Sequence, residues 1–398
     1  MRDSGAMSDT ARKALAVSLI FGTTSAVIGV HMPFLPVWFD WAGLSAYQIG
    51  LLGAAPVFVR ILTIPFAGYF ADRWGKAPEL VLWLSVAAVL GFLALSQMQG
   101  FWPILAAIVY LAFVWSPVFP LSETVAMSII KRTGLDYGRM RLWGSVTFIL
   151  TNAAGGWAVE RVGAHAVVWL LVGLCTVSTV AAYVLLRTVR GEARGTEAVV
   201  HASRRISPAD VASLVARRDF RLFLLATGAV QSSHAMLYVF GILHWRTQGI
   251  SAEWASALWT VSIGIEIALF AWSRAVLKRF DPVVMIAIGC AGGAIRWGVM
   301  GLDPGLATLI VLQAGHGLTF AASHIGAIHY LTRTVPDHQM GTAQALYSAF
   351  TGGIATGLAM LAIGPLYANF GGKAYWAMAV VALSGLLASL AIRPRPEG

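Results

Sequence analysis

The chain has 398 residues, of which 58% are hydrophobic and only 12% are charged, and its mean hydropathy is +0.73. Soluble domains carry about 25% charged residues, so this composition excludes an ordinary soluble protein and indicates one embedded in a membrane. The net charge is +10, but the basic residues are dispersed and lack the aromatic interleaving of a nucleic-acid groove, so nucleic acid is not an expected partner. Cys175 and Cys290 lie in separate apolar runs and predict neither a disulfide framework nor a metal site.

Twelve apolar segments follow one another along the chain, each long enough to cross a hydrocarbon core about 30 Å thick. Because backbone polar groups need internal partners in lipid, these segments are predicted to be helices. The first is too long for a signal peptide and is interpreted as a retained span. The segments cover residues 14–39, 46–70, 79–97, 101–128, 140–160, 165–187, 219–245, 252–273, 283–301, 304–331, 340–367 and 372–392. The predicted class is an all-α integral membrane protein.

Lysine and arginine are distributed unevenly among the segments that connect these spans. If both termini are cytoplasmic, 22 of the 28 Lys and Arg residues lie on or near the cytoplasmic side, three lie on or near the outside and three lie well inside the spans. Basic residues are retained on the cytoplasmic side of a membrane. The sequence therefore predicts a multi-pass protein of a bacterial-type inner membrane with both termini inside.

A polar and basic stretch, residues 191–218, divides the spans into two groups of six. Within it, Ser207 is a predicted N-cap, Pro208 suits the first helical position, and Asp210 suits the first turn. These residues predict a short helix on the membrane surface. The predicted domains are two pseudo-symmetric six-helix bundles, 1–190 and 219–398, joined by a cytoplasmic linker over 191–218.

Five charged side chains lie well inside the predicted spans, where each costs a few kcal/mol and is a candidate functional group. They are Glu123, Glu266, Arg60, Arg141 and Arg296. Glu123 and Arg141 are expected on adjacent spans, where they either neutralise each other or take part in function; Glu266 and Arg296 are also on neighbouring spans. Arg60 has no acidic neighbour on its own predicted helix, and a planar guanidinium matches a carboxylate, so an anionic substrate is favoured.

Polar and aromatic residues form stripes on several spans. On span 10, Gln313, His316, Phe320, Ser323 and His324 fall within a sector of about 80–100° at helical periodicity. Such a face either lines a cavity or makes interhelical hydrogen bonds; the cavity is favoured for Arg, Glu and His, and interhelical bonding for isolated Ser, Thr and Asn. Similar stripes contain Gln231, His234 and Tyr238 on span 7, Arg141, Ser145, Phe148 and Asn152 on span 5, and Thr24, His31, Phe34 and Trp38 on span 1.

Two local sequences carry a family resemblance. GYFADRWGK, from Gly68 to Lys76, resembles the cytoplasmic loop motif of the major facilitator superfamily, although a charged turn is the simpler alternative. DYGRMRLWGS, from Asp136 to Ser145, resembles a run found in the lactose permease and nucleoside–proton symporter branch, and further segments along the chain are similar to bacterial phenylpropionate permeases. The resemblance implies two six-helix bundles that transport by alternating access.

The resemblance also implies roles for individual residues. One departure is that Thr319 stands where the lactose permease has a carboxylate one turn beyond the span-10 His, so Glu266, the only acid well inside the predicted second-half spans, is expected to carry the coupled proton. Proton coupling is assigned to Glu266, Arg296, His316 and Glu123. Substrate binding is assigned to Arg60, Arg141, His31, Phe34, Trp38, Gln231, His234, Tyr238, Gln313, Phe320 and His324. Conformational switching is assigned to Gly68, Asp72, Arg73, Gly75 and Lys76.

No nucleotide-binding or metal-binding spacing stands in the sequence, so neither an enzyme nor an ATP-driven pump is expected, and no cofactor or metal. The expected function is proton-coupled uptake of a small aromatic carboxylate by a monomer. A proton-coupled nucleoside or sugar symporter is the alternative. A non-transporting membrane sensor or a membrane enzyme is a third, less favoured reading.

Overall fold

A computed structural model describes residues 8–190, 207–273, 277 and 279–392, and in these residues the regular secondary structure is helical. The first half contains α1 (Asp9–Trp41), α2 (Ala46–Trp74), α3 (Ala77–Leu95), α4 (Phe101–Trp115), α5 (Val118–Thr133), α6 (Tyr137–Arg161) and α7 (Ala166–Val189). The second half contains α8 (Pro208–Ala216), α9 (Arg218–Ser232), α10 (Ala235–Thr247), α11 (Ala252–Ala271), α12 (Pro282–Met300), α13 (Leu306–Ala314), α14 (Ser323–Thr334), α15 (Met340–Ser348), α16 (Thr356–Phe370) and α17 (Ala374–Leu390). Two π-helical segments, Gly317–Ala322 and Ala349–Ala355, and two 3₁₀ turns, Asp337–Gln339 and Gly371–Lys373, connect neighbouring helices.

The predicted helical class is confirmed, and the apolar segments coincide with helices. Within the described residues, ten helical stretches are long and apolar enough to cross a membrane. One of them, Asp337–Leu390, has 54 residues and contains both of the last two predicted spans. Helix α6 is also long, with 25 residues, but it is more polar and is not among the ten. The number of twelve spans stays a prediction.

Two predicted spans are interrupted by identifiable local chemistry. Span 4 divides into α4 and α5 at Pro117, because proline lacks the N–H that a continuous helix needs. Span 7 divides into α9 and α10 at His234, whose ring Nδ1 lies 2.9 Å from the carbonyl oxygen of Val230. That carbonyl is the usual partner of the His234 backbone N–H, which bonds instead to the carbonyl of Gln231 at 3.2 Å. The side chain therefore competes with the helix for an acceptor.

A short helix is present at the predicted position as α8, which begins at Pro208 after Ser207, but the predicted capping hydrogen bond to the Ser207 side chain is not formed. Its location on a membrane surface stays a prediction. Its polar side is tied to the 3₁₀ turn before α15, since Gln339 Nε2 donates to Asp210 Oδ1 and to Ser213 Oγ, both at 3.0 Å. Leu214, one helical turn after Asp210, is fully buried. The predicted linker residues 191–206 lie outside the described residues.

Contacts divide the chain into two compact units. The first consists of Met1–Gly43 and Val59–Val200, and the second of Leu44–Phe58 and His201–Gly398. The beginning of α2 thus groups with the second unit, whereas the rest of α2 groups with the first. The predicted domain limits of 190 and 219 stay predictions.

Helices α1 and α6 cross closely inside the first unit. Gly29 permits this approach, because a Cβ at this position would overlap the side chain of Thr151 and the carbonyl of Phe148. Thr147 and Thr151 then donate across the crossing to the carbonyls of Gly22 and Ala26, at 2.7 and 2.9 Å. These hydroxyls act as interhelical hydrogen-bond donors, the role favoured for isolated Ser and Thr residues in such spans.

Candidate functional site

Six polar side chains converge inside the second unit, and we call them the Arg296 cluster. Arg296, Gln313, His316, Thr319 and His234 are each at most 4% exposed, and the side chain of Glu266 is 20% exposed. They come from the break between α9 and α10, from α11, α12 and α13, and from the first π-helical segment together with the residue immediately before it. These residues are up to 85 positions apart in the sequence, and the fold brings them into one network. The members of the cluster are His234, Glu266, Arg296, Gln313, His316 and Thr319.

Arg296 on α12 is the centre of this network. Its Nη2 donates to Gln313 Oε1 at 2.7 Å, and its Nη1 donates to Thr319 Oγ1 at 3.1 Å and lies 3.2 Å from His316 Nδ1. The guanidinium carbon lies 4.4 Å from the ring centroid of Trp297. The cation is therefore removed from solvent and held by neutral groups.

The contact between Arg296 and His316 fixes the protonation of the histidine. An arginine can only donate, so His316 Nδ1 must accept, and the ring carries its single proton on Nε2 as the neutral tautomer. That Nε2 lies 3.5 Å from Glu266 Oε2. A second proton on His316 would break the bond to Arg296 and bring two buried cations together. Of the two neighbours, Glu266 rather than His316 is thus the better proton acceptor.

His234 is fixed in the opposite tautomer. Its Nδ1 faces a carbonyl, the acceptor described above, so Nδ1 carries the proton and Nε2 has a free lone pair. Thr319 Oγ1 lies 3.1 Å from this Nε2 and can donate to it while accepting from Arg296. Thr319 therefore links Arg296 to His234.

The first π-helical segment positions this part of the cluster. Its Gly317 lies against α11, where a Cβ would come within 2.6 Å of the side chain of Ile265. Ile265 immediately precedes Glu266, so the close approach places the carboxylate near His316. Short π-helical segments are frequent at functional sites.

Aromatic rings extend from the cluster in two directions. The rings of His316, Phe320 and His324 are stacked in series at centroid distances of 5.4 and 6.3 Å, both with interplanar angles of 11°. This series agrees with the predicted common face on span 10. In the other direction Tyr238 stacks on His234 at 5.7 Å and lies 6.0 Å from Trp259.

The remaining second-unit candidates lie close to these rings. His324 Nδ1 lies 3.2 Å from the hydroxyl of Tyr347. Gln231 is half-buried on α9, one turn before His234. The second-unit residues predicted from sequence are thus in or next to one polar core.

The charged candidates of the first unit have other surroundings. Glu123 Oε1 accepts a 2.7 Å hydrogen bond from the hydroxyl of Tyr137. The guanidinium of Arg141 lies over the rings of Phe119 and Phe21, at 5.2 and 5.9 Å. In the described residues, Glu123 thus contacts a tyrosine hydroxyl and Arg141 contacts two phenylalanine rings. The direct contact between the two charges that the sequence suggested is not formed there. Their role in transport stays a prediction.

The span-1 candidates belong to the interior of the first unit. Phe34 is 0% and Trp38 is 3% exposed. The ring of Phe34 faces Gly155 of α6, where a Cβ would lie 2.8 Å from it, and His31 makes an edge contact with Phe92 at 6.2 Å. Arg60 lies on α2 with an exposed side chain.

The loop motif occupies the end of α2 and the start of α3. Gly75 has φ +60°, which explains the glycine as the residue of a left-handed turn. Asp72, Arg73 and Lys76 are exposed. A Cβ on Gly68 would meet no atom of the described residues within 4 Å. The switching role of the motif stays a prediction.

Sequence reasoning missed two residues that complete the second-unit core. Ser262 Oγ donates to Gln313 Oε1 at 2.7 Å, and Trp259 is 4% exposed beside Tyr238. Both lie on α11 at positions four and seven residues before Glu266, hence on the same helical face. This spacing is the sequence signal by which the two residues could have been found. Among the described residues, no group of three or more His, Cys, Asp or Glu side chains is arranged to hold a metal.

Comparison with known proteins identifies the family of the chain. Residues 15–378 match the model of the "MFS_1 like family". The chain is 31% identical over 373 residues to the "Probable 3-phenylpropionic acid transporter" of Escherichia coli K12, covering 92% of this chain and 93% of that protein. It is 27% identical to the "Maltose permease" of Geobacillus stearothermophilus, covering 92% and 91% of the two chains.

The fold is also similar to solved structures. The crystal structure of the nucleoside transporter NupG superposes with a TM-score of 0.81 at 15% identity, covering 96% of this chain and 98% of that one. The chain therefore belongs to the MFS_1-like family of the major facilitator superfamily and is a multi-pass membrane protein that transports a small molecule, not an enzyme.

Proposed function

We propose that this protein is a proton-coupled symporter that imports a small aromatic carboxylate, of the 3-phenylpropionate type, across the bacterial inner membrane. The observation that carries the proposal is the series Arg296, His316 and Glu266, in which the arginine keeps the histidine neutral and leaves the carboxylate as the proton acceptor. The similarity to a probable 3-phenylpropionic acid transporter supports the substrate class.

The coupling follows from charge balance in the buried core. With Glu266 ionised, the carboxylate and Arg296 lie on opposite sides of His316 and compensate each other. A proton on Glu266 removes that compensation and leaves a buried cation, which is costly. A substrate carboxylate restores neutrality, so proton and anion are bound most favourably together.

The aromatic residues supply a complementary environment for an aryl group. Tyr238 stacks on the ring of His234 at a centroid distance of 5.7 Å, and Phe320 makes an edge contact with the same ring at 6.2 Å. Aromatic pairs add about 0.5–1.5 kcal/mol beyond area burial. A substrate that combines one ring with one carboxylate therefore suits this core better than a polyhydroxylated sugar.

Glu266→Gln tests the assignment of the coupled proton. Glutamine keeps the shape and a hydrogen-bond acceptor for His316 but cannot ionise, so accumulation driven by a pH gradient should be lost. Exchange of labelled for unlabelled substrate at equal pH requires no net proton movement and should continue at a substantial fraction of the wild-type rate. Both rates are measured in proteoliposomes.

Glu253→Gln is the matched control, because it removes a carboxylate from the first turn of the same helix. It should retain both activities. Undiminished uphill uptake by Glu266→Gln would contradict the assignment and move the proton to another acid, with Glu123 the next candidate.

A further inference from the structure

Three buried N–H groups in the second unit have no acceptor among the described residues: Arg296 Nε, Gln313 Nε2 and Trp259 Nε1. The three side chains are 2%, 1% and 4% exposed. A buried donor without an acceptor destabilises the protein, because it loses its hydrogen bonds to water and gains none in return. Three of them in one polar core require an explanation beyond packing.

The orientation of the Gln313 amide is set by its neighbours. Its oxygen accepts from Arg296 Nη2 and from Ser262 Oγ, both at 2.7 Å. If the amide were rotated by 180°, its NH₂ group would face the donors of Arg296 and Ser262. The NH₂ group therefore points away from these two side chains. Gln313 thus presents two N–H bonds in a direction where the described residues offer no acceptor.

Trp259 belongs to the same part of the core. It lies one helical turn from Ser262 on α11, and residues three apart share a helical face. Ser262 contacts Gln313, and the ring of Trp259 contacts that of Tyr238, which stacks on His234. Trp259 and Gln313 are thus both neighbours of Ser262, the first along α11 and the second across the contact between α11 and α13.

The guanidinium supplies charge to this set of donors. Three of its five N–H bonds are directed at His316, Thr319 and Gln313. Two remain, one of them at Nε. Neutral donors beside a buried cation form a site for an anion with several acceptor lone pairs.

We propose that Arg296, Gln313 and Trp259 form a carboxylate subsite in the second unit, with the indole N–H of Trp259 donating to a carboxylate oxygen of the substrate. This inference rests on the proposed function. It assigns the carboxylate end of the substrate to the second unit, whereas the sequence-based assignment placed it at Arg60 on α2. The ligand is an aryl carboxylate with its ring next to Tyr238.

Trp259→Phe is the direct test, because it removes one N–H and retains an aromatic ring. Binding of 3-phenylpropionate and of 3-phenylpropanol, which lacks the charge, is measured by competition on purified full-length protein. Hydrogen bonds to charged groups are stronger than those to neutral ones, so the dissociation constant of the acid should rise at least about tenfold and that of the alcohol less than about threefold. Trp254→Phe, at an exposed position of the same helix, is the matched control and should change neither.

Gln313→Glu provides an independent variant. It keeps an oxygen for Arg296 and Ser262 but replaces the donating NH₂ by an acceptor, so it should weaken the acid more than the alcohol. Equal losses for acid and alcohol in both variants, or no loss, would overturn the subsite while the proposed function stands. Wild-type protein that binds uridine or maltose and neither phenyl compound would overturn both.

Discussion

Thr319 shows how one hydroxyl organises the Arg296 cluster. It accepts from Arg296 on α12 and lies within hydrogen-bond distance of His234 at the break between α9 and α10. A carboxylate at this position, as the sequence resemblance implies for the lactose permease, would neutralise Arg296 within the protein. A threonine bonds to the cation without neutralising it, which leaves its charge for Glu266 and for substrate.

Thr319→Val should destabilise the second unit. Valine has nearly the same shape, but Arg296 and His234 each lose a partner in a buried setting, which costs about 1–3 kcal/mol. The midpoint of thermal unfolding in detergent should fall clearly below that of the wild type. Thr319→Ser retains the hydroxyl and should remain close to it; a valine variant as stable as the serine variant would show that these bonds contribute little.

At the scale of elements, the helices could be predicted from the sequence and their interruptions could not. Apolar length predicts a membrane helix from local composition, and Pro208 predicts the start of α8 from the preference of proline for the first helical position. The break at His234 and the π-helical segment at Gly317–Ala322 depend on a side chain that takes a backbone carbonyl and on a tight contact with α11. Such events need a tertiary neighbour or a particular rotamer, and hydropathy carries neither.

Gly29→Val tests the crossing of α1 and α6. The added side chain would overlap Thr151 and the carbonyl of Phe148, so the helices must separate, and overpacking of this kind costs about 1–3 kcal/mol or more. We expect a lower thermal midpoint. At Gly173 on α7, a Cβ would meet no described atom within 4 Å, so Gly173→Val is the control; equal midpoints for the two variants would contradict the close crossing.

At the scale of the whole molecule, sequence alone predicted most of the second-unit site. A charge inside an apolar run is conspicuous, which is why Glu266 and Arg296 were found, and helical periodicity added Gln313 and His316. Trp259 and Ser262 were not found, because tryptophan and serine are common in membrane helices. Only the partner across the helix interface identifies such a residue as part of a site. Glu123 was found as a charge, but its hydrogen-bond partner Tyr137 was not, because the tyrosine lies 14 residues later on the next helix.

Proton movement during substrate entry is the most direct test of proton-coupled import. In lightly buffered proteoliposomes without an imposed gradient, 3-phenylpropionate should alkalinise the external medium as proton and anion enter together. Protein-free liposomes give the leak of the undissociated acid through lipid, and Glu266→Gln vesicles should show that leak and no more. A protein-dependent alkalinisation with 3-phenylpropionate, absent with uridine and maltose, is the predicted result; no protein-dependent signal with the acid, or a signal with uridine or maltose instead, would contradict proton-coupled import of an aromatic carboxylate.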